Sequence, residues 1–315
     1  MFQGCSSLTE IPRILPAETL GEFCYYNMFN GCTSLTTAPI LPATTLTKSC
    51  YQYMFFKCSS LTQAPELPAT VMSESCYQYM FNYCSSLVNP PELPATTLAN
   101  KCYDNMFAGC TLLSSMPELP ATTLADECYR KMFMDCTSMT QIPEEIPATT
   151  LAKNCCYQMF IWCESLTKAP KLPATTLADE CYRDMFLGCT SLTQAPELPA
   201  TTLANWCYSS MFRSCPSLTS APELPATTLS EYCYHYMFDG CTALTQAPEL
   251  PAAELANNCY ECIFGSCMSL TDAYFPNINS DIINTEVLGT QYAFYNAANN
   301  INVHCSDKTI IANQI

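Results

Sequence analysis

Apolar residues return along this chain at one long, fixed period. Met-Phe stands at Met1, Met28, Met54, Met80, Met106, Met132, Met159, Met185, Met211 and Met237, with Ile263-Phe264 in the eleventh place. The steps are 26 residues, apart from two of 27 where Pro12-Arg-Ile-Leu-Pro16 and Pro143-Glu-Glu-Ile-Pro147 each carry one residue more than the usual Pro-Glu-Leu-Pro. Self-similarity at such a period is the mark of a stacked array with no single central core. Within the unit, T-T-L-A-x-x-C-Y-x-x-M-F-x-G reads as a helix. Its second Thr suits an N-cap, and Thr123-Leu-Ala-Asp126 and Thr176-Leu-Ala-Asp179 supply a capping-box-like acid. Leu124, Cys128 and Met132 fall at i, i+4 and i+8, and Tyr129 and Phe133 widen the apolar arc. Gly31, Gly109, Gly188 and Gly240 suit a left-handed C-cap.

The segment S-L-T-x-A reads as a short strand that stops near Pro65 and its equivalents, because proline cannot donate to a ladder. Pro-Glu-Leu-Pro then carries the chain back in an extended, polyproline-like course. Parallel strands sit about 4.8 Å apart and packed helices about 8–10 Å apart, so a stack of both must bend. The expected fold is an α/β repeat: a curved leucine-rich-repeat-like solenoid with short parallel strands on the concave side and helices on the convex side. Residues 1–271 hold about eleven repeats. The Asn-rich, less periodic residues 272–315 are expected to be a degenerate last repeat and a C-terminal cap with a polar outer face.

The string Phe-x-Gly-Cys-Thr-Ser-Leu-Thr resembles the BspA-like (Treponema-type) leucine-rich repeats, with Met-Phe where that family writes Ala-Phe. The resemblance covers residues 1–270 and returns at Tyr292-Ala-Phe-Tyr-Asn-Ala297, which shows the Ala-Phe form. It implies a surface or secreted protein of bacterial or protist type, adhesive to host proteins or other cells. Met-Phe-rich arrays are also similar to modules of gut bacteria and their phages. The family carries no catalytic residues, so it implies none here. The Pro-Glu-Leu-Pro insert and the Tyr after the first Cys depart from its pattern.

Charge narrows the partner. With 28 acidic and 12 basic residues the formal net charge is −16, which argues against nucleic acid and anionic membrane. No apolar run reaches membrane-spanning length. The start, Met1-Phe-Gln-Gly-Cys5, has no signal-peptide character and reads as the middle of a repeat. The expectation is a fragment, a virion component, or an uncapped end open to self-association.

Of the 24 cysteines, ten precede Tyr or its equivalent and eleven follow Met-Phe by three; Cys156, Cys262 and Cys305 lie outside both columns. At helix spacing, neighbouring first-column cysteines are too far apart to bridge. Buried free thiols are expected. Cys259-Tyr-Glu-Cys262 is the one CxxC, and Cys259 is already explained by its column. Neither a metal nor another cofactor is called for.

Three columns are candidates for binding. The first is acidic: Glu66, Glu92, Glu118, Glu197, Glu223 and Glu249, with Lys171 as a basic interruption that relieves repulsion. It reads as a solvated edge, or as a site for Ca²⁺ or a basic ligand. The second is the variable strand residue, including Gln63, Gln141, Lys168, Gln194 and Gln246, suited to hydrogen bonding with a glycan or an extended peptide. The third is a set of scattered aromatics, of which Trp206, Tyr232 and Tyr236 lie in consecutive repeats. The recurrent Tyr column is expected to serve helix–helix packing.

No nucleophile–base constellation is evident, so the chain reads as non-enzymatic. Three functions stay open. One is an extracellular or cell-surface adhesion module that holds a host protein or glycan along its curved face. Another is a virion or filament component, structural or receptor-binding. The third is the repeat domain of a larger enzyme.

Overall fold

The structure is a computed structural model, and it describes residues 1–280, 290, 292–298 and 300–312. Each repeat is one flat coil of chain, and successive coils stack along one axis. The core runs down the middle of the stack. In one coil it takes Leu61, Pro65, Leu67, Ala69, Met72, Cys76, Tyr77, Met80, Phe81, Cys84 and Leu87, all buried. Alternation is strict through the proline corner: Pro65, Leu67 and Ala69 point in, while Glu66, Pro68 and Thr70 point out. A period of two is that of an extended chain, so this corner has the course expected of it.

The segment expected to be helical is not a helix. The described residues of the repeats, 1–279, contain no α-helix. The chain makes a run of tight turns, with a left-handed residue at every fourth position, as at Ser49, Tyr53 and Lys57. Its N–H groups alternate in direction. Tyr51, Tyr53 and Phe55 donate to Cys76, Gln78 and Met80 of the next repeat at 2.9–3.0 Å, whereas Gln52, Met54 and Phe56 donate three residues back at 3.1–3.3 Å. Each backbone donor is satisfied, half of them by the neighbouring coil.

A physical reason for this choice lies in the spacing. The inward residues repeat at four, not 3.6: Leu124, Cys128, Met132 and Cys136 are all buried. On an α-helix each step of four rotates a side chain by about 40°, so these four would spread over about 120°. Turns of four residues keep them on one line. Coils so built stack at hydrogen-bonding distance, which packed helices cannot do.

Close stacking creates ladders. Phe2, Phe29, Phe55 and their equivalents through Phe294 form an unbroken stack with ring centroids 5.5–5.9 Å apart. The Tyr column stacks at 5.6–6.0 Å, interrupted where Cys156 takes its place. It is therefore packing between turns, not between helices. The mismatch that required curvature is absent too, because both sides of the coil are hydrogen-bonded from repeat to repeat.

Strand pairing is sparse. Most repeats meet through single parallel bridges, such as Thr37 to Gln63, Gln63 to Asn89 and Thr176 to Thr202. Among the described residues, continuous strands occur only near the C-terminus: β1 (Gln246–Glu249), β2 (Asp272–Phe275), β3 (Ile301–Cys305) and β4 (Thr309–Ala312). They form one sheet in that order, parallel until β4 turns back antiparallel on β3. Part of 272–315, expected to be a cap, lies outside the described residues.

Candidate binding surfaces

On the strand side the structure aligns two of the expected columns. Gln63, Gln141, Lys168, Gln194 and Gln246 are exposed, and so are Glu66, Glu92, Glu118, Glu197, Glu223 and Glu249. The two columns lie three residues apart in every repeat and run parallel to the stack axis. Among the described residues none of these six glutamates makes an ion pair. The column's one cation, Lys171, reaches Glu144 at 2.8 Å. That hydrogen bond and charge hold the Glu144 carboxyl below its usual range. Between successive Pro-Glu-Leu-Pro corners lie open grooves of ≈ 360–470 Å³, walled by prolines and rimmed by these glutamates.

On the turn side Trp206 and Tyr232 stack at 3.9 Å between centroids, and the Arg183 guanidinium lies 4.6 Å from the indole. Tyr236 joins them through His235, whose ring meets all three aromatics edge-on, and Arg213 lies over Tyr236 at 4.7 Å. All three aromatics are half-buried. Their faces are thus largely taken by one another and by arginine.

Tyr83 and Trp162 are more open, 46% and 43% exposed. Each lies across a glycine of the next repeat. A Cβ on Gly109 would fall 2.5 Å from the Tyr83 ring, and one on Gly188 would fall 2.4 Å from Trp162. Both glycines have positive φ, 75° and 73°, as the C-cap expectation required. They close the third turn of a series and not the end of a helix.

The column following the stacked tyrosines holds chemistry that sequence reasoning passed over. Asp104, fully buried, receives Arg130 through two bonds of 2.9 and 3.0 Å, Gln78 at 2.7 Å and Asn105 at 2.6 Å. Four repeats after Asp104 in the same column, Ser209 Oγ lies 3.3 Å from His235 Nδ1, and His235 Nε2 lies 3.6 Å from Glu261. This row has the residue types of a hydrolytic triad, but Ser209 is only 1% exposed and is not presented to a substrate. Burial, then Arg183 and Arg213, push the His235 imidazolium down to about 4, so the ring is neutral near pH 7. The signal was a 26-residue spacing between Ser209, His235 and Glu261, visible only once coils are known to touch.

None of the 24 cysteines is placed in a disulfide, and all but Cys5, Cys24 and Cys305 are buried. The geometric reason given for free thiols fails, since coils stack far closer than helices. The second column has its own role: from Cys32 to Cys267 each Sγ–H donates to the Phe carbonyl one repeat earlier, at 3.1–3.3 Å. Burial drives thiols of each column up, Cys50 to about 11 and Cys58 and Cys102 to about 12. Cys259 and Cys262 are both buried, and among the described residues no group of His, Cys, Asp and Glu is placed to hold a metal.

A stack of short coils with a leucine-led strand, a fixed inward set and an aromatic ladder defines a leucine-rich-repeat solenoid. The chain belongs to the family of BspA type leucine-rich repeat regions, whose six-copy model matches residues 1–114, 53–193 and 157–300. Among solved structures it is similar to a leucine-rich repeat protein of Bacteroides ovatus, at 17% identity over 95% of this chain and 76% of that one, with a TM-score of 0.42. It is also similar to a leucine rich cell surface protein of Faecalibacterium prausnitzii, at 16% identity over 95% and 88%, with a TM-score of 0.38. The TLR13–ssRNA13 complex follows at 12% identity over 91% of this chain and 52% of that one, with a TM-score of 0.30. No curated protein matches the sequence. No helix among the described residues is long and apolar enough to cross a membrane.

Proposed function

We propose that the chain is a non-enzymatic binding module of an extracellular or cell-surface protein, holding a partner protein or glycan along the strand side of the stack. One observation supports this above the rest. Inward positions are nearly fixed from repeat to repeat, while the exposed Gln63 column varies beside a mostly acidic Glu66 column, and the stack aligns both along its axis. A surface that repeats its scaffold and varies its outermost residues suits recognition by many spaced contacts. The amides and hydroxyls of the Gln63 column offer hydrogen bonds, and the Glu66 column adds negative charge beside them. On the turn side Trp206, Tyr232 and Tyr236 form a second, more self-contained patch. Among the described residues antiparallel β4 covers the edge of β3, which suits a cap at this end of the stack.

A screen of the purified chain against immobilised matrix proteins and glycans tests this function. Capture at micromolar affinity, weakened by Gln63→Ala, Gln194→Ala and Gln246→Ala together, is the expected result. Absence of any ligand at micromolar level, or capture indifferent to strand-side variants, counts against it.

A further inference from the structure

One proline groove differs from the others, and its difference is chemical. The position after the variable strand residue is Ala64, Ala169, Ala195 and Ala221 in ordinary repeats; three consecutive repeats depart from this, with Ile142 in the third and Pro90 and Met116 in the first two. Both line a groove of ≈ 420 Å³ between their repeats, with Asn89 and Ser115 at one edge and Glu92 and Glu118 on the rim. Met116 is 7% exposed and forms floor, whereas Val88, next to Asn89, is 42% exposed where the adjacent repeats carry Thr62 and Ser114.

Pro90 also breaks the ladder. Where the ladder forms, the N–H at this position donates across to the next coil, from Met116 to Gln141 at 2.9 Å and from Ala169 to Gln194 at 3.4 Å. Proline has no N–H to give. No bridge joins Asn89 to Ser115, where proline removes the donor; Gln141 to Lys168 and Gln194 to Ser220 are also unbridged, although Ile142 and Ala195 keep their N–H groups. The Ser115 carbonyl is left without its ladder donor at the edge of the groove. A backbone acceptor in that position is what an added extended segment pairs with.

From these features we infer that this groove docks an extended peptide segment of a partner protein, one that alternates apolar and basic side chains. It rests on the strand side being the binding face. Three contacts specify the occupant. A peptide N–H donates to the Ser115 carbonyl in place of the bond that Pro90 cannot make. An apolar side chain covers Pro90 and Met116. Lysine or arginine side chains reach Glu92 and Glu118, which have no ion pair among the described residues and belong to a chain of net charge −16. A glycan would satisfy the acceptor but leave the apolar floor and the carboxylates without complementary groups.

The test uses the whole chain and a blocked peptide, acetyl-Lys-Leu-Lys-Leu-Lys-amide, titrated by calorimetry. Sub-millimolar binding is expected, at least tenfold tighter than for the Glu-Leu-Glu-Leu-Glu counterpart, weaker in high salt, and weakened by N-methylation of the central leucine–lysine amides. The double variant Pro90→Ala, Met116→Ala restores residues that other repeats use, so it should keep the fold, checked by thermal unfolding. It should weaken the peptide about tenfold, and Glu92→Gln with Glu118→Gln should remove the salt dependence. Equal binding by the restored variant overturns the proposal; if Glu66→Gln and Glu197→Gln then weaken the peptide, the strand side binds but this groove does not define the site. No binding of the probe at about 1 mM overturns it as well, whatever the glycan and matrix-protein screen returns.

Discussion

Single residues in this chain are constrained by the coil above and below them more than by their neighbours in sequence. Gly188 shows it: its φ of 73° suits glycine, and Trp162 of the preceding repeat occupies the place of a Cβ. Gly188→Ala should destabilise the fold by about 1–2 kcal/mol from backbone conformation alone. Adding Trp162→Ala should recover only the part due to the clash, as urea denaturation of both variants would show. Arg130 neutralises a fully buried carboxylate, so Arg130→Ala should cost about 3–5 kcal/mol, and an effect below about 1 kcal/mol would mean Asp104 finds water instead. His235 carries a pH signature. Its folded pKa, about 4, lies below the ordinary imidazole value of 6.5, so the unfolded chain binds more protons between those values. Stability from this group is therefore full above pH 6.5 and is lost as pH falls toward 4. Unfolding free energies of His235→Gln and the parent should converge across that window as the parent loses its advantage. Arg183, Arg213, Glu261 and the rings of Trp206, Tyr232 and Tyr236 all face this imidazole. Thiol labelling of the native protein should modify Cys5 and Cys24 fast, Cys305 more slowly, and the buried columns only in denaturant.

At the scale of the element, the turn run replaces the helix for a reason of stacking. A helix would satisfy its own backbone and leave each repeat 8–10 Å from the next. The run of turns gives up half of those internal bonds and regains them between coils, with Phe and Tyr ladders at 5.5–6.0 Å as an added contribution. Left-handed conformations at residues such as Tyr53 and Asp184 each cost about 1–2 kcal/mol, which the inter-coil bonds and rings must offset. Far-UV circular dichroism should therefore lack the paired minima of an α-helix, although the same residues carry N-caps and an apolar arc. A helical spectrum would reject the turn ladder. The legible sign was the strict period of four through Leu124, Cys128, Met132 and Cys136, which a 3.6-residue helix cannot keep in line.

Across the whole molecule, coupling passes only between adjacent coils, so the array is a one-dimensional system. Phe133→Ala removes a ring midway along the ladder, at a core cost of about 3–5 kcal/mol. Denaturation should then separate into two transitions, while the same change at the ladder's end, Phe294→Ala, should leave one main transition. Partner binding belongs to this scale too, because columns of Gln and Glu acquire meaning only when repeats align them.

Period, repeat boundaries, the inward set, the proline corner and the family were all readable from the sequence, because each is a property of one repeat copied many times. The candidate columns were readable as lists of residues for the same reason. Which residues touch across coils was not. Asp104 with Arg130, Ser209 with His235, Cys84 with the Phe55 carbonyl, and Trp162 over Gly188 are each separated by about one full repeat. Their contacts depend on the distance between coils, and that distance follows from turns winning over helix. Local propensity favoured the helix; only the assembled stack, where one coil completes the hydrogen bonds of the next, reversed that preference.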